Sequence, residues 1–199
     1  MPTLLHVGCG PKRKDRTTQA FDTPEWTEIR LDIDSSVQPD VVGTMTDMSA
    51  VPDESVDAVF SSHNIEHLYT HEVPIALAEF RRVLRPDGFV VLTCPDLQSV
   101  CALVADNKLL EPAYQSAAGP ISPIDILYGH RVAMERGNLY MAHRTGFTRD
   151  SLAGEMAKAG FGATLVRRRE RHLELWAVAT KQRTTPEAIL GLAAAHLPK

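Results

Sequence analysis

The 199-residue chain has little of several things, and each shortage removes a class of protein. Its three cysteines, Cys9, Cys94 and Cys101, fall at no repeating interval, so a disulfide framework is excluded. They fit a reducing compartment, and a cytoplasmic location is expected. No run approaches the ~20 apolar residues that a membrane helix needs. Residues 1–6 have no basic segment followed by a long apolar stretch, so neither a membrane anchor nor a signal peptide is expected. There is no excess of positive charge: the formal net charge is -4, which gives no general attraction to nucleic acid. The basic clusters Lys12-Arg13-Lys14 and Arg167-Arg168-Arg169 read as a solvated loop and a solvated strand end. Internal repeats and low-complexity tracts are also missing.

What remains is ordinary in bulk and specific in pattern. With 44% hydrophobic and 23% charged residues, the chain has the composition of a soluble globular protein and the length of one domain with a full core. Short apolar runs stopped by turn residues read as strands at residues 4–7, 29–33, 40–43, 56–61 and 89–94. Residues 161–170 and 173–180 read as a final hairpin around Arg171-His172. Helical spacing marks residues 72–84, ended by the Arg85-Pro86-Asp87-Gly88 turn. Further helices are expected over 99–110 and from Thr148 to Ala159. A C-terminal helix follows, with Thr185 as its cap and Pro186 at its first position. Residues 34–39 are too short for a crossover helix. Buried strand, helix, buried strand implies an α/β fold, doubly wound, with a mostly parallel sheet of about seven strands. A helical insertion is expected after the fifth strand.

The first apolar run ends in Gly8-Cys9-Gly10. Glycine without a Cβ lets a backbone approach a ligand closely and tolerates positive φ. A dinucleotide fingerprint continues to a third glycine, and here that position is Arg13, which speaks against NAD. Asp32 ends the second run about 20 positions on, where a carboxylate accepts hydrogen bonds from ribose hydroxyls; Asp34 competes for that role. Asp47-Met48 follows the third run, and Ser61-Ser62-His63-Asn64 the fourth.

In this order, with the stretch Arg81-Arg82-Val83-Leu84-Arg85-Pro86-Asp87-Gly88, these segments resemble the class I S-adenosylmethionine (SAM)-dependent methyltransferases of the type 11 kind. The resemblance covers roughly the first half of the chain and implies a Rossmann-like fold with SAM as cofactor. It implies that Gly8, Cys9 and Gly10 face the methionine part of SAM. Asp32 and the adjoining Ile33 take the ribose, Asp47 and Met48 the adenine, and His63 and Asn64 close the site near the methyl group. His6 stands where the family often has an acidic residue, and the helix after the first strand looks shortened.

Methyl transfer from a sulfonium needs mainly alignment, with a base only where the acceptor must lose a proton. His63, His67 and His143 are the candidate catalytic residues. Beside an NAD-dependent enzyme, against which the missing third glycine speaks, two rival readings stand. One is a non-catalytic SAM-binding protein on a degenerate fold. The other is a zinc hydrolase, because His63-Asn64-Ile65-Glu66-His67 fits H-x-x-E-H. Two histidines four apart on a helix share a zinc with the glutamate as base, and Glu135 is at the right distance for a third ligand. The motif directly follows a strand and meets Pro74 soon after, so no metal site is expected.

The cofactor motifs all lie before residue 97, and the sequence begins at the first strand. Cover for the acceptor is therefore expected from residues 97–144, a lid insertion within a SAM-binding domain of residues 1–181, with 182–199 as a helical tail. The expected partner is a small-molecule acceptor, with no nucleic acid and no membrane, and the protein is expected to be a monomer or homodimer.

Overall fold

A computed structural model describes residues 1–116 and 118–198. Ala117, inside the expected lid, and Lys199, at the end of the expected tail, lie outside the described residues. The main sheet is built from β1 (Thr3–Val7), β2 (Thr27–Asp32), β3 (Val41–Val42), β4 (Val56–Ser62) and β5 (Leu84–Pro95). Beyond the hairpin β6 (Tyr114–Ser116) and β7 (Gly119–Ile121), β8 (Ala163–Arg169) and β9 (Glu174–Thr180) complete it. The order is β3-β2-β1-β4-β5-β9-β8, parallel from β3 to β5, with β9 antiparallel to both β5 and β8. This is the seven-stranded, mostly parallel α/β sheet expected from the sequence. The chain leaves β1 toward β2 on one side, and β4 lies on the other. The crevice outside the carboxyl ends of β1 and β4 is therefore a switch point, where such sheets bind ligands.

Alternation along the buried strands feeds two cores. Leu5, Val7, Val59, Val90 and Leu92 pack under α1 (Val73–Val83) and α5 (Arg149–Lys158) through Leu77, Phe80, Leu152 and Met156. Leu4, Ala58, Phe60, Phe89 and Val91 point to the other face. There a regular helix between β1 and β2 is missing, as the shortened segment implied, and only a 3-10 turn, Lys14–Arg16, lies between them. Phe21 and Trp26 from that irregular stretch fill part of the gap. The C-terminal helix, α6 (Pro186–His196), covers the rest through Ala193 and Leu197, so it forms part of the core. Thr185 caps α6 as expected, its hydroxyl accepting from Ala188 N–H.

Two boundaries differ from expectation. The Arg85–Gly88 turn is a bulge: Leu84 already pairs with Val56, and regular pairing resumes at Ala58 with Phe89. The helix expected over 99–110 is α2 (Leu97–Ala105). Asp96 caps it two residues earlier, and Asn107, at φ 65°, stops it. The remainder of the insertion holds the β6–β7 hairpin, α3 (Pro123–Tyr128), α4 (Arg131–Glu135) and a 3-10 turn, Leu139–Met141. No helix among the described residues is long and apolar enough to cross a membrane.

Candidate active site

Each strand end at the switch point presents backbone to a cleft of about 450 Å³. Gly8 has φ 63°, and a Cβ there would lie 2.3 Å from the Asn64 side chain, so only glycine fits both the turn and its neighbour. Asn64 in turn donates from Nδ2 to the carbonyls of Val7 and Ser62, tying the ends of β1 and β4 together. Asp32 lies at the same crevice. Its Oδ2 accepts from Gly10 N–H at 2.7 Å and its Oδ1 from Asp34 N–H at 2.9 Å, which fixes the carboxylate with lone pairs to spare. Ile33 lines the cleft beside it with an exposed apolar side chain. Burial raises the thiol pKa of Cys9 to about 11, so it stays protonated and unreactive at neutral pH.

The sequence reading missed Arg30, a buried arginine inside β2. Its guanidinium donates to the carbonyls of Gly10, Lys12, Val37 and Gln38, holding the glycine turn against the loop after β2. A charge inside an otherwise apolar strand was the available signal, since a buried guanidinium needs partners. Asp47 and Met48 do not line the cleft. Met48 is buried in the core, its N–H bonded to Glu79, and Asp47 turns back to accept from Ser49 N–H. Gly43, Thr44 and Met45, just before them, line it instead. The reason is the length of β3, only two residues, which brings the loop to the cleft earlier than expected.

The H-x-x-E-H segment does not form the helix face that a shared zinc between His63 and His67 requires. His63 sits at φ 56° before a single 3-10 turn, Ile65–His67, and its ring turns away from His67. Its Nε2 donates to Glu174 at 3.0 Å, and its Nδ1 lies 3.3 Å from Glu66. Burial acts to lower the His63 pKa, but the hydrogen bond to Glu174 and the ion-pair contact with Glu66 outweigh it and raise it to about 9. At neutral pH His63 is thus an imidazolium between two carboxylates, with no lone pair to act as a base. Glu135, the expected third ligand, is not grouped with these residues.

His67 and His143 are arranged differently. His67 Nδ1 bonds to the Ala142 carbonyl at 3.1 Å and His143 Nδ1 to the Ile126 carbonyl at 2.7 Å. A carbonyl only accepts, so both rings carry hydrogen on Nδ1 and donate from it. Burial holds the His143 pKa below its usual value. The rings meet edge to face with centroids 4.9 Å apart. His67 lines the 450 Å³ cleft, and His143 lines a second cavity of about 260 Å³ with Glu66, Leu97 and Tyr128. Arg144 borders both, its guanidinium 4.8 Å above the Tyr69 ring. From the insertion, Asn138, Tyr140 and Met141 close the far side of the larger cleft. The site thus brings together Gly8, Cys9, Gly10, Asp32, Ile33, His63, Asn64 and His67, sets His143 in the adjoining cavity, and leaves out Asp47 and Met48.

Comparisons with known proteins agree with this architecture. Residues 5–92 match the family model described as a methyltransferase domain. No curated protein sequence matches the chain. Among solved structures, the chain is similar to a SAM-dependent methyltransferase from Methanosarcina mazei, with 15% identity over 92% of this chain and 93% of that one, at TM-score 0.60. It is also similar to a possible histamine N-methyltransferase from Thermotoga maritima, 16% identical over 92% and 83% of the two chains, at TM-score 0.57. A third is the Burkholderia thailandensis 1,6-didemethyltoxoflavin-N1-methyltransferase, solved with its substrate and S-adenosylhomocysteine. It is 16% identical over 91% of this chain and 72% of that one, at TM-score 0.56. Residues 5–92 thus carry the pattern of a methyltransferase domain, and the chain has the fold of these SAM-dependent methyltransferases.

Proposed function

We propose that this protein transfers the methyl group of SAM to a small-molecule acceptor held in the 260 Å³ cavity. One observation carries the reading: the glycine-turn cleft and the smaller cavity share Arg144, and His67 of the first meets His143 of the second edge to face at 4.9 Å, beside Glu66. Gly8–Gly10 and Asp32 would hold the methionine and ribose parts of SAM, which would supply an activated methyl group at that junction. The smaller cavity is below the roughly 300–1,000 Å³ of drug-sized pockets, which supports a small acceptor. The acceptor atom attacks the methyl carbon as the S–CH3 bond breaks. The electron pair of that bond stays on sulfur, leaving neutral S-adenosylhomocysteine. The contribution of the protein is alignment of the two partners and exclusion of water. His63 holds Glu66 and Glu174 in place, while His67 and His143 are the side chains that meet the acceptor.

Calorimetry with SAM, S-adenosylhomocysteine and NAD tests the cofactor, with tighter binding of NAD than of SAM overturning it. Transfer of radiolabelled methyl to a panel of small hydroxyl and amine acceptors tests the reaction. Full SAM binding with no acceptor labelled would instead establish the non-catalytic SAM-binding protein.

A further inference from the structure

Glu66 carries an unmet demand. It is 1% exposed, and neither carboxylate oxygen has a hydrogen-bond partner among the described residues. A buried carboxylate left this way costs several kcal/mol unless a charge or a ligand completes it. His63 Nδ1 approaches Oε1 at 3.3 Å and balances part of the charge, but it completes no hydrogen bond. The second oxygen has no partner at all, and Glu66 lines the smaller cavity.

Two further groups lie beside this carboxylate. His67 and His143 each commit Nδ1–H to a backbone carbonyl, of Ala142 and of Ile126, and Nε2 of each makes no hydrogen bond among the described residues. Metal-ligating histidines are oriented in this way, one ring nitrogen donating to a carbonyl and the other binding the ion. The ligand atoms of Glu66, His67 and His143 lie within 4.8 Å of one another. Around a tetrahedral ion with bonds of ~2.1 Å, ligand atoms stand ~3.4 Å apart, so closure of up to about 1.4 Å is needed. Arg144, the nearby cation, is turned to the Tyr69 ring and the His67 carbonyl and does not fill the space.

We propose that Glu66, His67 and His143 form a binding site for a divalent first-row transition ion, Zn²⁺ above all, at the junction of the two cavities. Two imidazoles and one carboxylate are a borderline donor set that suits such ions and leaves a coordination position open to a ligand. This triad differs from the His63 and His67 pair of the H-x-x-E-H motif. Here His63 acts behind the ligand, held by Glu174 and orienting Glu66. On the methyltransferase reading, on which this consequence alone rests, the open position takes an acceptor hydroxyl. Bound to the ion, the hydroxyl loses its proton to water, and the oxygen attacks the methyl carbon of SAM. The products are a methyl ether, neutral S-adenosylhomocysteine and the released proton.

The test uses the full chain stripped with a chelator and titrated with Zn²⁺, with Mg²⁺ as the hard-ion comparison. Wild-type protein is expected to take up one Zn²⁺ per chain and to melt at higher temperature with it. Glu66→Gln, which keeps the shape, and His143→Gln should each weaken Zn²⁺ at least about 100-fold, a loss above the 10- to 100-fold typical of outer-shell partners. His172→Gln, at an exposed histidine far along the chain, should leave it unchanged. Circular dichroism verifies that each variant is folded, and Glu66→Gln decides the case if His143→Gln unfolds. Absence of stoichiometric Zn²⁺ in folded wild-type protein, or unchanged binding in Glu66→Gln, overturns the site. SAM calorimetry on the same samples separates the readings: Zn²⁺ binding without SAM binding sinks the methyltransferase proposal and leaves the metal site standing.

Discussion

On the wall proposed to hold the cofactor, strand ends do the holding. Gly8 N–H reaches the Leu31 carbonyl at 2.8 Å, His63 N–H the Thr93 carbonyl at 2.9 Å, and Gly10 N–H the Asp32 carboxylate at 2.7 Å. On the wall proposed to hold the acceptor, the chain is loop and short helix, held by separate single contacts. Arg144 N–H bonds to the Glu66 carbonyl at 2.8 Å, Arg131 to Asp125 at 2.6 Å, and His63 bridges two carboxylates. The first wall is fixed by backbone geometry shared with the sheet. The second is fixed by side-chain charge and small caps, which allows its lining to vary without disturbing the sheet. A rigid cofactor seat beside a separable acceptor seat is what the transfer of one common methyl group to a particular acceptor requires.

The sharpest way to break this contrast is to add one methyl group to each wall. Gly8→Ala meets both a positive φ and the Asn64 side chain at 2.3 Å. Left-handed strain and overpacking together should cost about 3–5 kcal/mol in urea denaturation and abolish SAM binding in calorimetry. Gly146→Ala on the acceptor wall meets only the end of the Leu97 side chain at 3.2 Å, and should cost under about 1 kcal/mol. Equal costs would mean that the two walls are equally rigid.

Asp32 tests whether the cofactor wall binds as well as supports. Asp32→Ala should lose charge-assisted bonds to the ribose, roughly 1.5–3 kcal/mol, or about 10- to 150-fold in SAM affinity. Unchanged affinity in a folded variant would transfer the role to Asp34, whose side chain here only caps the turn at Ser36.

Acid should loosen the acceptor wall. Burial alone acts to raise the Glu174 pKa, but bonds from His63, Trp176 and Arg169 outweigh it and bring it down to about 2. A carboxylate depressed on folding binds fewer protons in the native state than in the unfolded one. Its stabilisation is therefore complete above the unfolded value of 4.5 and is lost as the pH falls through about 2. Screening through the half-exposed His63 and Arg169 reduces the effect to about 1–2 kcal/mol. Glu174→Gln should flatten the stability profile between these limits. A profile identical to wild type would show that the ion pairs contribute nothing there.

The same division explains what could be read from the sequence. The strand cores, the Gly8–Gly10 turn, Asp32 and the final hairpin were legible because each depends on a few adjacent residues and a local period. The docking of α6 was not, because no pattern in residues 186–196 reveals that the segment between β1 and β2 left a face of the sheet uncovered. The loop after β3 borders the cleft a few residues earlier than expected, since a two-residue strand gives no alternation to fix its end. The junction was hidden most deeply. Glu66 and His67 are adjacent, but His143 joins them only through the insertion, and its orientation depends on the Ile126 carbonyl, which no side-chain motif encodes.

The smallest expected effect concerns whether the acceptor wall moves. Tyr140 stands in the 3-10 turn of the insertion, 58% exposed, and lines the cofactor cleft. If residues 131–144 close over bound SAM, Tyr140 becomes covered, and its truncation to alanine removes that burial. The expected loss is about 1 kcal/mol, roughly fivefold in SAM affinity, below the full value of a buried aromatic because one edge stays wet. Hydrogen exchange gives the direct measure. Amides of residues 131–144 should exchange faster than those of β4 and β5 in the free protein and slow when SAM and acceptor bind, because a closing segment must open at low cost. Protection equal to that of the sheet and indifferent to ligands, together with unchanged affinity in Tyr140→Ala, would make the insertion a fixed wall. The contrast between the two seats would then lie in chemistry alone and not in motion.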